Sequence, residues 1–169
     1  MSRAFVIGIG SNLGERERYL VRAVEAIARL GAVEALSSVY ETPPLGPPQP
    51  DYLNAAVRIA SELTPLALLD SLLRIEAAVG RVRDVRWGPR VLDLDILWSE
   101  VAHASARLNI PHAELRSRTF ALAPLLDVVP ELASEYAGAL QELGGPPRVC
   151  GILSWNRALQ MCEFGVVAL

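Results

Sequence analysis

Apolar residues recur along this chain in two periods. From Tyr52 to Glu62 they alternate: Leu53, Ala55, Val57 and Ile59 share one side, and Tyr52 and Asn54 share the other. Ala4 to Gly10 reads as a buried strand and Val33 to Tyr40 as a second one. Between them, Glu15 to Leu30 carries Leu20, Val24, Ile27 and Ala28 at helical spacing, with Gly31 as the stop. Thr64-Pro65 gives an N-cap with proline in the first helical position. That helix is expected to reach Val79, with Leu69, Leu72, Leu73 and Ile75 inward and Gly80 ending it. Leu92, Leu94 and Ile96 then alternate with Asp93 and Asp95, the mark of one more strand. The order β-α-β-β-α-β predicts an α+β, ferredoxin-like antiparallel sheet with the helices on one face and the other face open for a site.

The rest of the chain adds to this unit. Val101 to Ile110 is expected to pair as an added strand, and Pro111-His112 to open a helical region bearing Arg116 and Arg118. Thr119 to Val128 is apolar, with Pro124 and Pro130 expected to break it into short helices. Ser134 to Leu143 and Leu153 to Phe164 read as C-terminal helices, separated by Gly144-Gly145-Pro146-Pro147. The last five residues are apolar and suit docking on the sheet edge or on a partner. The segment Thr42 to Asp51 holds five of the twelve prolines, so it is neither helix nor central strand. It is a stiff connection or the wall of a pocket. No repeat or long linker divides the sequence. The expectation is one domain over 1–169, with 132–169 a tail whose role the sequence does not reveal.

Composition narrows the chemistry. A chain of 169 residues, 51% of them hydrophobic, buries about 70% of its unfolded surface without a staple. No apolar run approaches the roughly 18 residues of a membrane span, and the opening apolar stretch is too short for a secretory signal. Cys150 and Cys162 lack paired spacing, which fits buried thiols and a cytoplasmic protein. All sixteen basic residues are arginine, which excludes every lysine-based mechanism. The net charge of −3 argues against nucleic acid as a partner. Yet residues 81–118 hold seven arginines against five acids, a local +2 that leaves −5 for the remainder. A local basic region on an acidic chain suits a small anionic ligand.

That region contains the candidate chemistry. Asp93 and Asp95 share one face of a strand, roughly 6.5–7 Å apart along it. Alone, they would be an ordinary solvated strand edge. Beside them, however, stand Arg81, Arg83, Arg86 and Arg90 around Gly88-Pro89, and Trp87 offers a ring to stack on a flat ligand. Carboxylates for a hard metal next to guanidinium forks for oxyanions suit a metal-bound polyphosphate. Asn54 can read a heterocycle edge with its amide, or can be a plain strand-end polar group. His112 is open between a neutral hydrogen-bonding residue, a phosphate donor and a cap.

The runs Gly80-Arg81-Val82-Arg83, Arg86-Trp87-Gly88-Pro89-Arg90 and Leu92-Asp93-Leu94-Asp95-Ile96 resemble the signature of the 6-hydroxymethyl-7,8-dihydropterin pyrophosphokinases. So do Gly10 to Gly14, Tyr40 to Gly46, Pro50 to Ala55, Arg74-Ile75-Glu76, Ile110 to His112 and Arg118 to Phe120, in the right order. The likeness runs from about Phe5 to Glu131. It implies pyrophosphate transfer from ATP to the hydroxymethyl group of the dihydropterin, a folate-pathway step, with AMP leaving. It implies Asp93 and Asp95 as ligands of two Mg2+ ions that accompany ATP, and Arg81 and Arg90 as catalytic residues. Glu76, Arg83, Arg107, His112 and Arg118 would serve ATP. Thr42, Pro43, Leu45, Tyr52, Asn54, Trp87 and Phe120 would hold the pterin. Expected partners are these small molecules alone, on a monomer, with neither nucleic acid nor membrane. A ferredoxin-like RNA-binding module would need exposed sheet aromatics that are missing here. A non-catalytic nucleotide sensor would not need both aspartates.

Overall fold

A computed structural model of the 169-residue chain describes residues 1–80 and 88–167. Its frame is β1 (Arg3–Ser11), α1 (Arg16–Ile27), β2 (Ala32–Leu36), β3 (Ser38–Thr42), β4 (Tyr52–Ser61), α2 (Pro65–Ala78) and β5 (Asp93–Ser99). A small hairpin follows, β6 (His103–Ala104) and β7 (Asn109–Ile110). Then come α3 (Thr119–Val128), α4 (Ala133–Glu142), β8 (Arg148–Asn156) and β9 (Met161–Val166). One antiparallel sheet runs β5-β1-β4-β3-β8-β9, with β2 and β3 sharing β4 as their partner.

The predicted alternation sorts the sheet's two faces. Phe5, Ile7, Ile9, Leu53, Val57 and Ile59 point into a core shared with Leu20, Val24 and Ile27 of α1 and Leu68 and Leu72 of α2. Each fully buried side chain of this size contributes about 1.5–3 kcal/mol. Val6, Ala56 and Leu97 point the other way, to Leu122 and Leu125 of α3 and Tyr136 and Leu140 of α4. So α1 and α2 share one face as expected, and the two later helices lie on the opposite one. They leave uncovered the end of that face nearest Gly10, Asn54 and Asp93.

Helix ends follow from local chemistry. Thr64 Oγ1 accepts from Ala67 N at 3.2 Å and Pro65 fills the first turn of α2. Gly80 follows α2 at φ +85. Gly31 packs so tightly that a Cβ there would lie 2.5 Å from the Ala60 carbonyl oxygen.

Four expectations need correction. The strand expected over Val33 to Tyr40 is two strands. Ser37 interrupts it, its Oγ donating to the Ser38 carbonyl and accepting from Ala56 N, both at 2.7 Å. Val101 to Ile110 does not join the main sheet; β6 and β7 pair only with each other. Pro124 does not break α3, which runs through it with the proline buried, so burial offsets the one lost backbone bond. Leu153 to Phe164 is not helical: it turns at 157–160 between β8 and β9. Asn156 Oδ1 holds that turn by accepting from Ala158 N and Leu159 N at 3.1 Å. Gly151 admits the Phe164 ring, which a Cβ would meet at 2.4 Å.

Candidate active site

Strand register builds the site floor. Gly10 stands opposite both Asn54 of β4 and Asp93 of β5, and Gly8 opposite Ala56 and Asp95. Directly opposed residues in antiparallel strands share a face. The row Asn54, Gly10, Asp93 therefore has a bare middle. A Cβ at Gly10 would sit 3.1 Å from Asn54 Oδ1, and one at Gly8 would sit 3.1 Å from Leu97. Above this floor opens a cavity of about 430 Å³, within the usual range for small-molecule sites.

Most of the expected residues meet there. Thr42, Pro43, Leu45, Tyr52, Asn54 and Phe120 line it, together with Arg90, Asp93, Asp95, His112 and Arg118. Asn54 Nδ2 donates to Thr42 Oγ1 at 2.7 Å, which fixes the amide plane. Tyr52 OH donates to the Gly88 carbonyl at 3.4 Å. His112 N donates to the Leu97 carbonyl at 2.9 Å, and His112 Nδ1 accepts from Glu114 N at 3.2 Å. In the neutral ring that bond leaves the proton on Nε2. Arg81, Arg83 and Trp87 lie outside the described residues, as does Arg86.

Two expected ATP residues are elsewhere. Glu76 is 2% exposed and sits on α2, and its Oε1 accepts from Leu94 N at 2.8 Å along the outer edge of β5. It thereby fixes the strand that carries the aspartates, and it does not line the cavity. Arg107 extends from the β6–β7 turn to pair with Asp70 of α2, also away from the cavity.

The charges interlock. Arg90 Nη1 is 2.8 Å from Asp93 Oδ1. Burial works to lower the Arg90 pKa, but Asp93, by charge and hydrogen bond, with Tyr52 and Asp95, holds it above its ordinary value. Arg118 is held below its ordinary value by burial, aided by Arg90 and opposed by Asp95 and Asp93. Its guanidinium pairs with Glu114 and lies 5.7 Å from the Phe120 ring centroid.

Asp93 and Asp95 present only oxygen, on one face, at a cavity wall. Among the described residues no group of three or more His, Cys, Asp or Glu side chains gathers. A two-carboxylate set fits a hard divalent ion that completes its shell with water and phosphate oxygens, and does not fit a closed structural metal site.

Several groups at the site are not among those expected from the sequence. Gly8 and Gly10, two apart in one strand, were a readable sign of close backbone approach. Glu114 gave no sign, because its pairing with Arg118 depends on the turn between them. Asn12, within the Gly10 to Gly14 stretch, is 1% exposed and ties two loops together. Its Nδ2 donates to Gln49 Oε1 and to the Pro50 carbonyl, both at 2.9 Å, while its Oδ1 accepts from Arg90 N at 2.8 Å.

A family model for 7,8-dihydro-6-hydroxymethylpterin-pyrophosphokinase (HPPK) matches residues 6–130. The chain belongs to the HPPK family. A 2-amino-4-hydroxy-6-hydroxymethyldihydropteridine pyrophosphokinase of Methylorubrum extorquens is 48% identical over 136 residues, covering 78% of this chain and 85% of the relative. One from Haemophilus influenzae is 43% identical over 141 residues, covering 81% and 88%. Among solved structures, a HPPK-DHPS in complex with substrates shares the fold with a TM-score of 0.65 at 14% identity. It covers 83% of this chain, which spans only 43% of that longer protein. The HPPK-matched segment contains every site residue expected from the sequence and ends before α4, β8 and β9.

Proposed function

We propose that this HPPK-family chain transfers pyrophosphate from ATP to the hydroxymethyl oxygen of 6-hydroxymethyl-7,8-dihydropterin, giving AMP and the dihydropterin diphosphate in folate biosynthesis. One observation carries the reading: a single cavity joins the Asp93–Asp95 face to the Thr42–Asn54 edge across a bare glycine floor. The first suits a charged phosphate chain, and the second suits a flat heterocycle with donors and acceptors on its rim.

In this reading Asn54 and the backbone of Thr42 to Leu45 recognise the pterin edge. Tyr52 lines that pocket, and Trp87 and Phe120 sandwich the ring. Arg118 and His112 orient the triphosphate. Arg81, Arg83 and Arg107 would join them on the nucleotide; Arg107 would first release Asp70. Asp93 and Asp95 would hold Mg2+, two ions with ATP. When bound, these ions neutralise phosphate charge and polarise the transferred group. The hydroxyl oxygen forms a bond to the β-phosphorus as the bond from that phosphorus to the AMP oxygen breaks. Such transfers rely on alignment and charge neutralisation more than on a strong base. Arg90, braced against Asp93, holds transferred oxygens at a fixed angle.

A cytoplasmic monomer acting on small molecules accompanies this proposal. Cys150 and Cys162 are free thiols, and among the described residues no helix is long and apolar enough to cross a membrane. The direct test incubates the protein with ATP, Mg2+ and the dihydropterin. ATP loss should require both the pterin and the metal; pterin-independent ATP loss as the sole activity would refute the assignment.

A further inference from the structure

We infer that the C-terminal hairpin of β8 and β9, which lies beyond the family-matched segment, positions the loop 42–51 through Arg148. The inference rests on the proposed reading of that loop as the pterin wall. β8 pairs with β3 so that Arg148 stands opposite Glu41. Glu41 is the residue just before Thr42, where the loop leaves the sheet and begins to line the cavity.

The Glu41 carboxylate is held from two sides. Arg148 pairs with Oε2, and Arg16 Nη2 lies 3.2 Å from Oε1. Arg16 also donates through Nη1 to the Asp51 carbonyl at 2.8 Å. One guanidinium thus spans both ends of the loop, Glu41 at its start and Asp51 at its finish. The Glu41 and Arg16 side chains are only 22% and 25% exposed, so their pairing is shielded more than an open surface contact. Arg148 is 58% exposed and does not line the cavity. Its part is to fix the carboxylate that Arg16 grips, and so to set where Thr42, Pro43 and Leu45 stand. It is a positioning residue.

The test replaces Arg148 by glutamate and by lysine in the full chain. Kinetics are measured against each substrate, with backbone hydrogen exchange at Leu45, Gly46 and Gln49. Arg148→Glu should raise KM for the dihydropterin about tenfold, the scale of turning one attractive contact repulsive. KM for ATP should stay within about twofold, since none of its proposed contacts lies on the loop 42–51. Exchange in the loop should quicken, and Arg148→Lys should restore most of the loss. Unchanged pterin KM with unchanged loop exchange would overturn the inference. So would an equal rise in both KM values with a lowered Tm, because that is the mark of a hairpin that merely completes the sheet. If the parent protein turns over no pterin, the proposed function fails. Loop exchange in Arg148→Glu then still decides the hairpin's role.

Discussion

Asp93 and Asp95 were legible because one short strand fixes both their spacing and their face. Arg90 pairs with Asp93, and the charge of Asp95 acts on both Arg90 and Arg118. Replacing either aspartate with alanine should lower turnover by several hundredfold or more, on the order of 4 kcal/mol for losing a charge-stabilising ligand. Pterin affinity should change little, as read by titrating the variant with the pterin alone. Full turnover in both variants at saturating Mg2+ would return the pair to a solvated strand edge. Arg90 gives a finer test. Its acid partner is Asp93 itself, so bracing and chemistry meet in one contact. Arg90→Lys keeps charge but loses the planar fork. It should cost about 1.5–3 kcal/mol of transition-state stabilisation, roughly tenfold to over a hundredfold in kcat/KM. A Tm shift with intact kcat/KM would make the contact structural only. Glu76 shows the limit at this scale. The family resemblance implied a place near the nucleotide, whereas helix phase turns the side chain inward to hold Leu94.

Elements were readable where each has its own period, as in β1, β4, α1 and α2. The C-terminal hairpin was not. Its apolar positions from Leu153 to Phe164 fit either period, and what selects strand is the free edge of β3, which no local pattern displays. The pairing of that hairpin with β3 has an acid-base consequence. Arg148, followed by Arg16, holds the Glu41 pKa below its ordinary 4.5, with burial acting in the opposite direction. A carboxyl with a depressed folded pKa stabilises the fold above its unfolded value, and loses that contribution as pH falls through the folded value. The parent should therefore melt higher than Glu41→Gln at pH 7. The gap should close as pH falls below about 4.5 and through the folded value. For partly exposed pairs of ~0.2–1 kcal/mol, the gap at pH 7 is no more than about 4 °C in a chain of this size. Thermal melts of both proteins from pH 7 to pH 3 measure it; a gap that widens toward acid would reverse the assigned sign.

At the scale of the molecule, the sheet order brings together residues far apart in sequence. Asn54, Gly10 and Asp93 form one row only because β1 lies between β4 and β5. The βαββαβ order already implied that adjacency, whereas the placement of α3 and α4 on the second face came from packing alone. That face holds both halves of the proposed reaction, phosphate chain on one side and heterocycle on the other. The most direct measurement of the central claim is phosphorus NMR of the full reaction with ATP, Mg2+ and the dihydropterin. Expected are AMP and a pterin diphosphate in equal amounts, the outcome of attack on the β-phosphorus. ADP with a pterin monophosphate would mean attack on the γ-phosphorus and would contradict it.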